Sequence, residues 1–201
     1  MNRTRPPINF MEVKYTDEQT FKKVDYSEKP LEIGEYEYCT FIGCNFSNSS
    51  LAEIRFSECE FLDCNFSNAN LKNTSFQDVQ FKNCKMLGLQ FDACNGFGFA
   101  TTFDTCQLDH SIFYKMKLSR SSFINCQLQS VDFSEADLKH SKLLSCNLQN
   151  ATFLNTNLEM ADFRNATNYS INPAQNRLKG AKFSLPEVVG LLDSYQIKIE
   201  E

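Results

Sequence analysis

From Phe21 to Phe163 nearly every fifth residue is large and apolar: Phe41, Phe46, Leu51, Phe56, Phe61, Phe66, Leu71, Phe76, Phe81, Met86 and Phe91. The series slips by two residues and resumes at Phe103, running in fives through Leu108, Phe113, Leu118 and Phe123 to Leu158 and Phe163. A helix repeats its apolar face every 3.6 residues and an ordinary strand every 2, so a period of five fits neither. A chain with this repeat turns a corner every five residues.

With the central residue of each pentad called i, position i−2 is small or of modest size: Ile54, Ala69, Thr74, Val79, Ser111, Ser121, Val131, Ala136 and Ala161. Four pentads make a coil of about 20 residues with four faces, each a very short strand, stacked at the usual strand separation of about 4.8 Å. Positions i and i−2 point inward and the other three face water. Each coil then buries its apolar side only against its neighbours, as in a solenoid. The longer period is visible directly, because Cys44-Asn45-Phe46-Ser47-Asn48 recurs as Cys64-Asn65-Phe66-Ser67-Asn68. Nineteen Phe and no Trp suit a core built of stacked rings. Asn suits tight corners, since its side chain bonds nearby backbone.

All nine cysteines take the i−2 slot, Cys94 in the slot before Gly96. Cys44, Cys64 and Cys84 should stack on one face, and Cys106, Cys126 and Cys146 in a second column. Column neighbours come within reach of a disulfide or a shared metal. Ala, Ser, Thr and Val fill the same slot, which points instead to buried free thiols. His110 and His140 fall in outward slots without ligand spacing.

The formal net charge is −5, with no basic excess of the kind that marks a nucleic-acid binder. No apolar h-region follows Arg3 and Arg5, and no stretch approaches the apolar length that spans a bilayer. The expectation is a cytoplasmic protein with no membrane segment, no direct nucleic-acid contact and no cofactor. No nucleophile–base set, glycine-rich phosphate loop or ligand cluster stands out, so no enzymatic activity is expected.

The gap of 12 between Phe91 and Phe103 holds Asn95-Gly96-Phe97-Gly98-Phe99-Ala100. Two glycines permit a bulge or kink that would separate a first stack from a second. Phe97 and Phe99 are its candidate binding residues. The domain expectation is an N-terminal cap over residues 1–20, a solenoid over 21–183 with its break at 96–100, and a C-terminal module over 184–201. Gly34, at an i−2 slot, fits the pattern poorly. In the C-terminal module Ser184 and Glu187 read as a capping box around Pro186, opening a short helix with an apolar stripe of Val188, Val189, Leu191 and Leu192. Gly190 weakens that helix, and Tyr195, Ile197 and Ile199 alternate like a final strand. So much apolar surface at a narrow tip predicts folding over the last coil together with a two-fold, tail-to-tail homodimer.

The segments Ala69-Asn70-Leu71-Lys72-Asn73 and Ala136-Asp137-Leu138-Lys139-His140 resemble the commonest unit of the pentapeptide-repeat family, over roughly residues 21–183. The resemblance implies an all-β solenoid, a right-handed quadrilateral β-helix. The break, the capped first coil and the tail Leu178-Lys179-Gly180-Ala181-Lys182-Phe183 look like the Qnr and MfpA-like subgroup. Its members bind DNA gyrase or topoisomerase IV, protect it from quinolones and dimerise through a C-terminal module. Many Qnr proteins carry long loops between coils. This chain has only the two-residue slip, as MfpA-like proteins do.

The subgroup's mechanism implies an acidic rod in the enzyme's DNA-binding saddle. Residues 36–166 hold 14 acidic and 10 basic residues. Outward positions 20 apart are neighbours on successive coils, so Lys72 should face Asp92, Lys115 Glu135, Lys117 Asp137, Lys139 Glu159 and Lys142 Asp162, whereas Glu58 and Asp78 form a like-charge pair. Asp132, Glu135, Asp137 and Asp162 are the candidate partner-binding acids. The other reading is a non-enzymatic interaction scaffold with an undefined partner.

Overall fold

The computed structural model describes residues 14–200; residues 1–13 of the expected N-terminal cap, and Glu201, lie outside the described residues. The chain is an all-β solenoid of short parallel strands in two sheets. The first sheet stacks Lys14–Asp17, Gly34–Glu37, Arg55–Ser57 and Ser75–Gln77. The second stacks Thr20–Lys22, Thr40–Ile42, Glu60–Leu62, Val79–Lys82, Thr101–Asp104, Ser122–Ile124 and Lys142–Leu144. The remaining pentads join their neighbours through isolated parallel bridges such as Asn45↔Asn65 and Ile112↔Asp132. Each strand pairs in register with its equivalent one coil on, as in Phe41↔Phe61, and the register survives the slip, as in Phe81↔Phe103.

That register follows from the core. Central residues one coil apart meet ring on ring: Phe21, Phe41, Phe61, Phe81, Phe103 and Phe123 form one column with centroids 4.7 to 5.3 Å apart. Rings of adjacent columns meet edge to face, Phe56 against Phe61 at 5.2 Å for example. Both arrangements add to area burial, by about 0.5–1.5 kcal/mol per pair.

Between the pentads the chain turns at position i+2, which takes a left-handed conformation at nearly every corner: Tyr38, Glu58, Asn68, Asp78, Thr105, Lys115 and Asn150 all have φ between 49° and 59°. This accounts for much of the asparagine, which tolerates that region better than most residues. Thr105, β-branched at φ 56°, is strained there. Thr105→Asn is expected to raise stability by about 1 kcal/mol, read as a higher urea midpoint with an unchanged slope.

The ladder is already formed at Lys14, the first described residue, which pairs with Gly34, earlier than the expected start at Phe21. Gly34 is required at its slot, since a Cβ there would run into the Lys14 carbonyl oxygen. The slip also departs from expectation. It does not split the stack, because the second sheet and the columns Phe81–Phe103 and Phe91–Phe113 run straight through it. After a 3-10 turn at Phe91–Ala93, Asn95 N–H bonds the Thr74 carbonyl and Ala100 N–H the Phe76 carbonyl. The residues between bulge outward, so the first sheet ends at Ser75–Gln77 while the second continues.

The C-terminus forms short 3-10 turns, Glu187–Leu191 and Asp193–Tyr195, in place of the expected helix, and residues 196–200 form no strand. The capping box is absent because both of its side chains serve the last coil. Ser184 Oγ accepts from Asn165 N–H and Glu187 Oε2 from Asn168 N–H, each at 3.2 Å. Gly190 is buried where a Cβ would collide with the Tyr169 carbonyl, and its own carbonyl accepts from Ile171 N–H at 3.0 Å. The glycine therefore lets the segment close over the coil.

Candidate protein-interaction surface

The interior offers packing and little chemistry. All nine cysteines are free; eight are buried, and Cys94, on the coil of the bulge, is half-buried against the core. Because the slip leaves the stack continuous, Cys44, Cys64, Cys84, Cys106, Cys126 and Cys146 form one column, where two were expected. Size alone does not explain the slot. Cys59 donates to the Tyr36 carbonyl at 3.2 Å, Cys84 to Phe61 at 3.3 Å, Thr74 to Leu51 at 2.8 Å and Ser111 to Met86 at 3.0 Å. A donor at i−2 thus ties each coil to the carbonyl of a central residue on the coil before it. The sharing of the slot among Cys, Ser and Thr carried that signal.

Burial pushes the Cys59 thiol up to about 12 and raises Cys94 as well. A reagent must also reach the sulfur, so thiols shut inside the stack should be inert. With a disulfide-exchange chromophore at neutral pH the folded protein is expected to release almost no colour, and the urea-unfolded protein nine equivalents. Rapid native reaction of several thiols would contradict this placement. Among the described residues no group of three or more His, Cys, Asp or Glu is arranged to hold a metal, and no helix is long and apolar enough to cross a membrane.

The outer surface is where recognition can occur. The four candidate acids do not come together there. Asp132 and Glu135 belong to the Phe133 pentad, Asp137 to the Leu138 pentad on the first-sheet side, and Asp162 to the Phe163 pentad on the second-sheet side. Each is also engaged. Asp132 accepts from Ser134 N–H, and Glu135 accepts from the Tyr114 hydroxyl and pairs with Lys115 at 3.4 Å. Asp137 accepts from Ser119 and Asn157 instead of facing Lys117 in an ion pair. Asp162 is gripped by Arg164, whose guanidinium holds its carboxyl below the usual range, and Lys142 does not pair with it. Lys139 does meet Glu159, at 3.2 Å, as Arg177 does at 2.6 Å.

Charge divides at the bulge. Residues 14–98 hold thirteen acidic and eight basic residues, and 99–183 seven acidic and nine basic. The division is sharpest along the edge where the two sheets meet. Its i+2 column starts with Glu18, Tyr38, Glu58 and Asp78, flanked by Asp17, Glu37 and Glu60. Beyond Ala100 it continues with Arg120, His140, Met160 and Gly180, flanked by Lys139, Lys142, Lys179 and Lys182 and by Glu159 and Asp162, which Arg177 and Arg164 hold. Tyr38 donates to Glu58 at 3.0 Å, which fixes part of the acidic run. An open cleft of about 410 Å³ marks the change of sign, with Asp78 and Arg120 both lining it. Counting charge separately on each side of the slip would have revealed this strip from the sequence.

The two phenylalanines of the bulge part company. Phe97 is 82% exposed, whereas Phe99 is half-buried, edge-on to Phe76 and Phe91. At the C-terminal tip Val189 and Leu192 are 43% and 40% exposed, and Leu191 packs onto the core. Val188 is half-buried. Leu185, Tyr195, Ile197 and Ile199 extend the apolar exposure at that end.

The fold has known counterparts. Two trypsin-treated variants of QnrB1, a plasmid-mediated fluoroquinolone resistance protein, superpose with TM-scores of 0.61 and 0.63 at 16% and 19% identity. The matches cover 94% of this chain in both cases, and 98% and 92% of the QnrB1 chains. At such identities the likeness is one of fold. A comparison with curated proteins gives no match. The family model described as a pentapeptide repeat region matches residues 35–113 and 99–191, most of the chain. With its coils, columns and corners already in that pattern, this chain belongs to the pentapeptide-repeat family.

Proposed function

We propose that this chain is a non-enzymatic, cytoplasmic binding protein that docks on a bacterial type II topoisomerase, gyrase or topoisomerase IV, where DNA would lie, and so modulates quinolone poisoning. The rod is taken to be a right-handed quadrilateral β-helix, which four pentads per coil suit, and to work as a homodimer through residues 184–201. The observation that carries the reading is the acidic half of the edge, with Glu18, Glu37, Glu58, Glu60 and Asp78 on successive coils about 4.8 Å apart. A duplex presents one charge per roughly 1.7 Å, so the strip resembles DNA only locally. The Qnr-like fold and the exposed apolar tip add support.

The strip moves the proposed contact away from Asp132, Glu135, Asp137 and Asp162, which are spread over three pentad columns and of which Glu135 and Asp162 already hold Lys115 and Arg164. Phe97, exposed near the strip's inner end, is the aromatic anchor retained from the bulge, and Phe99, packed against Phe76 and Phe91, ties the bulge to the core. The test is direct binding to purified gyrase at low salt. Glu58→Lys, Glu60→Lys and Asp78→Lys together are expected to weaken binding at least about tenfold, because like charges would then face the enzyme's basic saddle. Reversal of the four downstream acids should cost less. Equal loss from both sets would return the contact to the downstream acids. No binding by the unmodified protein at low salt would favour a scaffold with another partner.

A further inference from the structure

We infer that the edge between the two sheets is a self-complementary interface, along which two copies of this chain pair side by side and antiparallel about Ala100. Backbone bonds stack the edge column coil on coil: Glu18 N–H to Glu37 carbonyl, Tyr38 to Ser57, Glu58 to Gln77, Arg120 to Lys139, His140 to Glu159 and Met160 to Lys179. Across the bulge the Val79 N–H bonds the Ala100 carbonyl, and Thr102 pairs with Ser122, so Ala100 fills the fifth of nine positions. It is the midpoint, and the charge changes sign there.

A two-fold axis through Ala100 and perpendicular to the rod sets each position against the one equally far on the other side. One step out, Asp78 meets the partner's Arg120. Two steps out, Glu58 meets the partner's His140, and its neighbour Glu60 meets the partner's Lys142. Three steps out, the ring of Tyr38 meets the partner's Met160, a favourable sulfur–aromatic contact. Four steps out, Asp17 meets the partner's Lys179. The single clash of like charges, Glu37 against Glu159, is eased because Glu159 already holds Lys139 and Arg177. An isologous interface must be self-complementary, and equal coil spacing keeps all of these pairs in step. Arg120, Lys142 and Lys179 have no ion-pair partner among the described residues, so they are available.

A contact one edge wide falls short of the roughly 800 Å² per partner of a standard interface, so the pairing is weak and salt-sensitive. It would also cover Glu58, Glu60 and Asp78, making self-pairing and docking of the proposed enzyme exclusive. The pairing itself rests on the strip alone and not on that functional reading.

Sedimentation of the end-blocked variant Val189→Asp/Leu192→Asp, without any enzyme, isolates the edge contact. Its self-association should weaken about tenfold between roughly 50 and 500 mM salt. Asp78→Arg alone and Arg120→Asp alone should abolish it, and the two combined should restore it. Ala100→Cys should give a cross-linked dimer at low salt, where the native cysteines, all buried or half-buried, give none. An end-blocked variant that keeps the mass of a single chain at high concentration and low salt overturns the pairing. So does a charge swap that fails to restore what the single reversals remove.

Discussion

Phe123→Ala is expected to lower the stability of the folded chain by about 3–5 kcal/mol, the range for deleting a buried aromatic side chain. The ring is fully buried, stacks on Phe103 at 5.0 Å and meets Phe113 and Phe133 edge to face at 5.7 and 5.9 Å. Neighbouring coils are fixed by backbone ladders on every side, so they cannot collapse into the space left behind. Much of the cavity cost should therefore remain. Cys126→Ala, one pentad away, should cost far less, because alanine fills the same slot at Ala136 and Ala161. It removes only the thiol's weak bonds to the Phe103 and Ile124 carbonyls, at 3.5 and 3.3 Å. Urea midpoints of the two variants decide the matter. A Phe123→Ala midpoint equal to that of the unmodified protein would mean the ring is not part of a packed column.

The second large effect is expected at the C-terminal tip. Val189 and Leu192 stand exposed beside Leu185, Tyr195, Ile197 and Ile199, so the proposed dimer has an apolar surface to bury. Val189→Asp/Leu192→Asp would place unpaired carboxylates in that surface, a change that costs several kcal/mol in a desolvated contact. In high salt, where the edge pairing is screened, light scattering should give the mass of two chains for the unmodified protein and of one chain for the variant. Leu191 is the wrong residue to change, since it packs onto the last coil and its loss would loosen the whole module. A monomeric unmodified protein, or a variant that remains dimeric, removes the tail-to-tail dimer.

The period of five carried most of the architecture, because a solenoid repeats one local rule and each coil answers only to its neighbours. Phe41, Phe61 and Phe81 could be put in one column by counting. The slip could not be resolved that way. Whether two extra residues kink the stack or bulge from it depends on which sheet gives up its pairing, and only Asn95 and Ala100 bonding back to Thr74 and Phe76 decides it. The C-terminal module escaped for a related reason. Ser184 and Glu187 have the spacing of a capping box, but the unpaired amides of Asn165 and Asn168 on the last coil claimed them. Tertiary demand overrode a local motif.

The candidate surface was less legible than the core. Pairing charges one coil apart predicted Lys115–Glu135 and Lys139–Glu159 correctly. It missed Arg164, which takes Asp162 from two residues away in its own coil. It also ranked acids by spacing without asking whether they were free. Glu58 and Asp78, recognised as a like-charge pair, turned out to belong to a strip with no ion pair among the described residues, while Glu135 and Asp162 had cationic partners.

The most direct test of the functional account is quinolone-induced DNA cleavage by purified gyrase, titrated with this protein. The account predicts that cleavage falls as the protein is added, that the effect fades as salt rises, and that Glu58→Lys/Glu60→Lys/Asp78→Lys removes it while retaining the unmodified protein's urea midpoint. Cleavage that stays constant at every concentration of folded protein in low salt, or an undiminished effect from the charge-reversed variant, would contradict it.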